Sequence, residues 1–143
     1  MTNNIITKIL IAREAGVLFD TTLTSEFIPL SNYKYIDFII SSGAGTAGFT
    51  SVSIQGRRGA DGTAKSVSCR YKQADGTWSN VIVSKSVSIG GAAGSCGNHV
   101  FRITADDLAS DEFDEVAIKT SAVSSSAVPG CIAAVCYEPR YTE

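Results

Sequence analysis

The feature that most constrains this chain is the segment from Tyr33 to Val87, where apolar and polar residues alternate between glycine-rich turns. From Ser31 to Ser41, three large apolar residues, Ile36, Phe38 and Ile40, fall on one side of an extended chain. A period of two is typical of β-strands, because successive side chains point to opposite faces of the sheet. The segment is therefore interpreted as a β-meander.

The next strand of this segment runs from Phe49 to Gln55 and has one apolar and one polar face. Its period places Val52 and Ile54 inward, as in an antiparallel strand with one solvated face. The positions predicted to point outward are Ser51, Ser53 and Gln55.

Two identical tetrapeptides divide the later strands, and the first of them is Ala60-Asp61-Gly62-Thr63. A two-residue loop there pairs Ile54 with Cys69, whereas a three-residue loop pairs Ile54 with Ser68. A slip of one residue moves a whole strand to the wrong face, so the apolar pairing favours the two-residue loop.

The second tetrapeptide, Ala74-Asp75-Gly76-Thr77, is predicted to form a different turn. A three-residue loop with a left-handed glycine pairs Cys69 with Val81 and Val67 with Val83. A two-residue loop would instead set Cys69 against Ile82 and Val67 against Ser84, so the three-residue loop, which keeps valines opposite the buried face, is favoured.

Composition supports an all-β domain. The 143 residues carry a formal charge of −2, and 18% of them are charged, so no basic nucleic-acid footprint is present. A chain of this length is most simply one domain, residues 1–143, in which about the first 15 residues either join the domain or form an arm. Met1 to Asn4 lacks the basic start of a signal peptide, and the longest apolar run is too short for a membrane helix.

The remaining elements are read from local patterns. Thr104 is the expected N-cap of a short helix near residues 105–110, with Asp106 and Asp107 at the positive end of its dipole. Strands are expected at Ile5–Ile11, Gly16–Asp20, Glu26–Leu30, His99–Thr104, Phe113–Thr120 and Cys131–Tyr137, and a loop at Ser88–Asn98. The predicted fold class is an antiparallel, jelly-roll-like β-sandwich with one short helix.

Signals of catalysis or cofactor binding are weak in this sequence. Gly43 to Gly48 matches the G-x-G-x-x-G dinucleotide pattern, but a strand follows it where the pattern requires a helix. His99 is the single histidine, and no Gly-x-Ser-x-Gly motif accompanies it, so we expect no hydrolytic site. The acidic run from Asp106 to Glu115 lacks EF-hand spacing and is interpreted as a solvated surface.

The four cysteines, Cys69, Cys96, Cys131 and Cys136, are expected to be reduced thiols, because cytoplasmic reduction disfavours disulfides; the alternative is a bridge formed after release from a cell. No metal is expected on them, because their spacing is poor for a zinc site. Cys131 and Cys136 stand five residues apart and therefore point to opposite faces of one straight strand. No cofactor is expected.

One cluster could make a partner contact. The register of the second turn places Trp78 on the outer face beside Arg70 and Lys72. An exposed tryptophan next to cations suits a contact with a protein or a sugar. The alternative is an aromatic shelf that packs on the same molecule, with Tyr71 as its second ring.

Three segments carry a family resemblance: Tyr35 to Gln55, Ile103 to Lys119, and the end from Ile132 to Tyr141 with its Glu138-Pro139-Arg140-Tyr141. In this order they resemble small structural proteins of tailed bacteriophages and prophages, which decorate the head or are accessory to the virion. The motifs consist of scaffold residues, so the resemblance carries over no catalytic position.

The resemblance implies a non-enzymatic virion protein, made in the bacterial host cytoplasm, that binds the major capsid protein as a capsid decoration or cement subunit. It also implies a homo-oligomer, a trimer or another symmetric assembly, with no direct contact to nucleic acid or membrane. The alternative is a head-fibre or adhesin-like module that recognises a host surface glycan through Trp78 and its neighbours.

Overall fold

The computed structural model describes residues 6–19, 21–30, 33–43, 48–73, 75–88, 97–108, 112–123 and 129–139. The strands are β1 Ile6–Leu18, β2 Leu23–Thr24, β3 Ile28–Pro29, β4 Tyr33–Ser42, β5 Gly48–Arg57, β6 Lys65–Val67, β7 Arg70–Tyr71, β8 Lys85–Ser88, β9 Gly97–Thr104, β10 Glu115–Thr120 and β11 Pro129–Pro139. One helix, α1, spans Ala105–Leu108. Among the described residues no helix has the length and apolarity needed to cross a membrane.

The strands form two antiparallel sheets. Sheet A has the order β1-β11-β4-β9-β7, and sheet B has the order β2-β10-β5-β6, with β3 also on β10 and β8 also on β5. The chain alternates between the two sheets, and among the described strands β5 and β6 are the only pair that is both consecutive in sequence and hydrogen-bonded. The predicted all-β sandwich with one short helix is confirmed.

The core lies between the sheets and consists of the inward residues that strand alternation predicts. In the middle of sheet A, Phe38 is paired with Ala134 on one side and with Phe101 on the other, and all three are fully buried. Sheet B contributes Val52, Ile54, Val116 and Ile118 from its two central strands. Burial of a side chain of this kind contributes about 1.5 to 3 kcal/mol relative to exposure.

The meander prediction is wrong. Strand β4 lies in sheet A and β5 lies in sheet B, so the glycine-rich segment between them joins two sheets rather than two hydrogen-bonded neighbours. Both strands show the predicted apolar face, because alternation reports burial on one side of a strand and not which strand lies beside it.

The first turn also differs from its prediction. Ile54 pairs with Val67 and not with Cys69, and the ladder ends where Gly56 pairs with Lys65, which leaves residues 58–64 as the loop between β5 and β6. Ile54 and Val67 still share the buried face, so the parity of the register is right and the two-residue loop is wrong. The loop is opened by Asp114, whose backbone N–H donates to Arg57 O at 3.1 Å and whose side chain accepts from Gly59 N at 2.8 Å.

The second turn is locally as predicted. Gly76 is left-handed, with φ of 85°, and Gln73 N donates to Thr77 O at 2.8 Å across a three-residue loop. Thr77 also donates its N–H to Asp75 Oδ1 at 2.9 Å, which closes the turn from the side chain.

Beyond that turn the pairing shifts by one residue. Lys72 pairs with Trp78, but Cys69 pairs with Ile82, so two residues on one strand face three on the other. The residues Arg70 and Tyr71 pair instead with β9 in sheet A. The predicted burial of Val81 and Val83 is therefore wrong: they are 50% and 52% exposed, and Ile82 packs against the core.

The start of α1 agrees with its prediction, and the start of the last strand differs from it. Thr104 caps α1 as predicted, because its N–H donates to Asp107 Oδ2 at 3.2 Å and its Oγ1 accepts from Asp107 N at 3.3 Å. The last strand begins at Pro129 and not at Cys131, since Gly130 pairs with Ser42 in sheet A. Most of the loop predicted at Ser88–Asn98 lies outside the described residues.

Candidate binding face around Trp78 and Arg102

The outer face of sheet A carries a charged pair in the middle of the sheet. Asp37 in β4 lies directly opposite Arg102 in β9, and both point away from the core because the alternate positions, Ile36 and Phe101, are buried inside. Tyr35 stands two residues before Asp37 in β4, on the same outward face, and lies opposite Tyr137 in β11.

The pair is bidentate and well shielded. Arg102 donates from Nε to Asp37 Oδ1 at 2.7 Å and from Nη2 to Asp37 Oδ2 at 2.8 Å. The Asp37 side chain is 6% exposed and the Arg102 side chain 22% exposed, although both lie on the outer face. A fork of two charge-assisted hydrogen bonds holds the guanidinium in one position and orientation.

Aromatic rings provide that shielding. The Arg102 guanidinium carbon lies 4.2 Å from the centre of the Trp78 ring, 4.3 Å from that of Tyr35 and 5.8 Å from that of Tyr137. The two tyrosine rings stack on each other, with centres 4.6 Å apart and planes 18° apart. We call the set of Tyr35, Asp37, Trp78, Arg102 and Tyr137 the arginine cluster.

Electrostatics follows from this enclosure. Burial acts to lower the pKa of Arg102, but the hydrogen bonds and the negative charge of Asp37 outweigh it, so the pKa is raised and the cation is favoured. Burial, and then the negative charge of Asp37, raise the pKa of Tyr137 above its ordinary value. The cluster therefore holds one ion pair, and the raised pKa of Tyr137 keeps that phenol neutral at neutral pH.

The hairpin of residues 71–79 carries Trp78 to this cluster. Lys72 N donates to Val100 O at 3.0 Å, which fixes the hairpin on the edge of β9, and Ser79 N donates to Tyr71 O at 2.8 Å, which joins the two arms of the hairpin. Trp78 lies opposite Lys72 in this pairing and half-buries its ring against Arg102.

The structure brings the three predicted contact residues to one region. Arg70 pairs with Arg102, Lys72 pairs with Trp78, and the Arg70 and Lys72 side chains are exposed. Tyr71, which the aromatic-shelf alternative joined to Trp78, points to the core instead, where its ring centre lies 5.1 Å from that of Phe101.

Sequence reasoning missed the residues that organise this face. Asp37 is a charged residue inside an apolar strand, and that anomaly could have marked it. Its partner Arg102 is 65 residues away, and only the pairing of β4 with β9 brings the two together.

The chemistry of this face suits a stable contact with another macromolecule. Tryptophan, tyrosine and arginine are the residue types that contribute most to binding energy at protein interfaces. Because the hydrogen bonds to Asp37 already fix Arg102, a partner that packs on Trp78 orders few further side chains. Arg70 and Lys72 are exposed at the rim and form no ion pair within the described ranges, so they favour a partner with acidic groups.

His99 lies elsewhere, on the inner side of sheet A, opposite Ile40. It lines a cavity of about 330 Å³ whose other residues are Tyr71, Lys72, Gln73, Asn98 and Val100. Burial lowers its pKa, and within the described part of the chain its Nε2 atom has no hydrogen-bond partner.

The cysteines are dispersed. Cys69 and Cys131 are free thiols, and Cys136 is buried in β11. Burial raises the pKa of Cys69 to about 11, which makes it a poor nucleophile. Cys131 and Cys136 lie on opposite faces of β11, as predicted from their spacing. Cys96 lies outside the described residues.

The acidic run is used by neighbouring groups. Glu115 pairs with Arg57 at 2.7 Å and Glu112 with Arg58 at 2.9 Å. Across the described ranges no three His, Cys, Asp or Glu side chains lie close enough together to hold a metal ion. The G-x-G-x-x-G segment leads into β5 as predicted, and its residues 44–47 are outside the described part.

Comparisons with known proteins give one informative likeness. No family model matches the sequence. No curated protein matches it either. Among solved structures, the crystal structure of the SPBc2 prophage-derived protein YomS is similar, with a TM-score of 0.57, 13% sequence identity, and coverage of 94% of this chain and 96% of that chain. At this identity the likeness shows the fold, which the two chains share over almost their whole lengths.

Proposed function

We propose that this chain is a non-enzymatic structural protein of a tailed bacteriophage or prophage, and that it acts as a decoration subunit on the capsid. The fold likeness to a prophage-derived protein supports the phage association. The alternation of the chain between two sheets supports a jelly roll, an architecture that viral capsid domains use.

The observation that carries the proposal is the arginine cluster. Its rings and ion pair make a rigid outer surface beside the exposed cations of Arg70 and Lys72. We assign the contact with the major capsid protein to Arg70, Lys72 and Trp78, which lie at the outer rim of this surface.

A decoration subunit needs a contact area and little chemistry. A specific interface buries about 1,200 to 2,000 Å² in total. On a capsid the contact repeats at every lattice position, and binding to the assembled shell stabilises it by mass action. A symmetric oligomer of the subunit, a trimer or another closed assembly, would bring several such faces to one site.

The alternative is a head-fibre or adhesin-like module that binds a host glycan through the same face. The half-buried Trp78 ring favours it, because tryptophan supplies both an apolar surface and an N–H donor to a sugar. In that case particles without the protein would lose adsorption to cells.

The test compares particles assembled with and without the protein. The decoration proposal expects particles without it to release DNA at a lower temperature, with adsorption to cells unchanged. Unchanged heat resistance together with lost adsorption would overturn it in favour of the adhesin alternative.

A further inference from the structure

The outer face of sheet B contains a groove of about 350 Å³ that differs in chemistry from the arginine cluster. Its lining is polar throughout and consists of Thr22, Ser51, Ser53, Gln55, Ser66, Lys119 and Ser121. We call it the hydroxyl groove. Strands β5, β6 and β10 and the segment before β2 each contribute to it, so the groove depends on the assembled sheet.

The floor of the hydroxyl groove is built from two buried polar side chains. Gln55 is 8% exposed and Ser53 is 7% exposed, although both are on the outer face of β5. The Gln55 amide donates from Nε2 to Ser53 Oγ at 3.0 Å and to Ser66 Oγ at 2.9 Å. Both amide hydrogens are therefore used, and each serine oxygen accepts one hydrogen bond.

A third hydroxyl in the groove is held in the same way. Ser121 Oγ accepts from the backbone N–H of Ser51 at 3.0 Å and from Thr50 Oγ1 at 2.9 Å. Within the described ranges the hydroxyl protons of Ser53, Ser66 and Ser121 have no acceptor. Since a hydroxyl carries one donor and two acceptor positions, the unused capacity of these three groups includes three O–H donors.

The charge of the groove lining favours an anionic ligand. Lys119 is exposed, it is the single charged residue of the lining, and across the described part of the chain it takes part in no ion pair. The groove therefore presents three hydroxyl donors and one ammonium group, with no carboxylate in its lining. Its ligand should be an anion with several acceptor oxygens.

We propose that the hydroxyl groove binds a phosphate group. Serine hydroxyls together with a lysine ammonium suit phosphate oxygens, and the volume holds a phosphate with a small attached polyol. A neutral sugar fits less well, because it brings as many donors as acceptors and the lining supplies no aromatic ring. This site is separate from the capsid contact and does not rest on it.

The test is titration of the intact protein with glycerol 3-phosphate, inorganic phosphate and, as the neutral probe, glycerol, followed by NMR. Glycerol 3-phosphate is expected to shift the amide signals of Ser53, Gln55 and Ser66, and glycerol is not. Binding of inorganic phosphate as well would assign the affinity to the phosphate alone. If only glycerol 3-phosphate binds, the polyol also contributes, and both outcomes support the proposal.

Variants locate the site. Lys119→Met is expected to weaken binding at least about tenfold and Ser66→Ala a few-fold, and both effects should shrink with added salt. Lys34→Met removes an exposed lysine from β4 of sheet A and should leave binding unchanged. The proposal is overturned if the wild type binds neither phosphate probe, if glycerol binds equally, or if the two lysine variants weaken binding to the same extent. Melting curves confirm that each variant is folded.

Discussion

The two outer faces of this sandwich differ in how their outward polar groups are hydrogen-bonded. On sheet A, Asp37 accepts hydrogen bonds from Nε and Nη2 of Arg102, and three aromatic rings surround the cation. On sheet B the outward groups satisfy one another only in part, since Gln55 orders Ser53 and Ser66 but leaves their protons without acceptors. We expect the ion pair and its rings to make a rigid contact surface, and the hydroxyls with unused donors to make a binding site.

The largest expected loss of stability comes from breaking the ion pair of sheet A. Asp37→Ala leaves the shielded Arg102 cation without its carboxylate, so we expect a loss of about 2 to 4 kcal/mol in the free energy of unfolding, measured by urea denaturation. Asp106→Ala, an exposed aspartate in α1, is the control and should cost less than about 1 kcal/mol.

A double variant sharpens this test. Asp37→Ala combined with Arg102→Met removes both charges and should recover part of the loss, because no unpaired charge then remains on the shielded face. If Asp37→Ala costs no more than its control, the pair does not organise sheet A.

The matching change on sheet B is Gln55→Ala. It removes the shared donor of Ser53 and Ser66, and we expect a loss of about 1 to 2 kcal/mol, because neutral hydrogen bonds contribute less than charged ones. Ser51→Ala, an exposed serine on the same strand, should change stability by less than about 0.5 kcal/mol. A larger loss from Gln55→Ala than from Asp37→Ala would reverse the comparison between the two faces.

Trp78 should contribute less to folding than its size suggests. Its ring covers Arg102 at the edge of the cluster, so Trp78→Ala is expected to cost about 1 kcal/mol, near the value of a partly exposed cation–π contact. Thermal unfolding compared with Trp78→Phe measures this contribution. A loss above that of Asp37→Ala would mean that Trp78, and not the ion pair, holds the face together.

The smallest effect is a pH dependence that belongs to neither outer face. Burial lowers the pKa of His99, so as pH falls below about 6.5 the unfolded chain takes up a proton that the folded chain resists, and stability is lost down to the folded pKa. His99→Gln should show a weaker fall in unfolding free energy between pH 6.5 and pH 5 than the wild type. Equal slopes in the two proteins would contradict this assignment.

Local patterns predicted much of this fold. The inward residues of β4, the capping of α1 by Thr104 and the left-handed Gly76 each depend on residues close in sequence. The first turn failed because Asp114, more than 50 residues away, supplies the hydrogen bonds that open it. The predicted burial of Val81 is wrong because β7 pairs with β9 in sheet A.

The functional surfaces were harder to predict than the core. Arg70, Lys72 and Trp78 lie together because one hairpin carries them, and that hairpin was read correctly near its turn. Arg102 and Asp37 meet only through strand pairing, and the hydroxyl groove combines serines from separate strands. Outward alternation identifies such residues as exposed or polar, but it does not say which of them meet.

In the proposed function, sheet A makes the contact with the capsid through Arg70, Lys72 and Trp78. The test is the binding of purified protein to particles that lack it, compared between the wild type and two variants. The sheet A variant combines Arg70→Ala, Lys72→Ala and Trp78→Ala. The groove variant combines Ser66→Ala with Lys119→Met. We expect the sheet A variant to lose at least about tenfold in affinity while remaining folded, and the groove variant to saturate the particles as the wild type does. Saturation by the sheet A variant at the wild-type concentration, or loss of binding in the groove variant alone, would contradict the account.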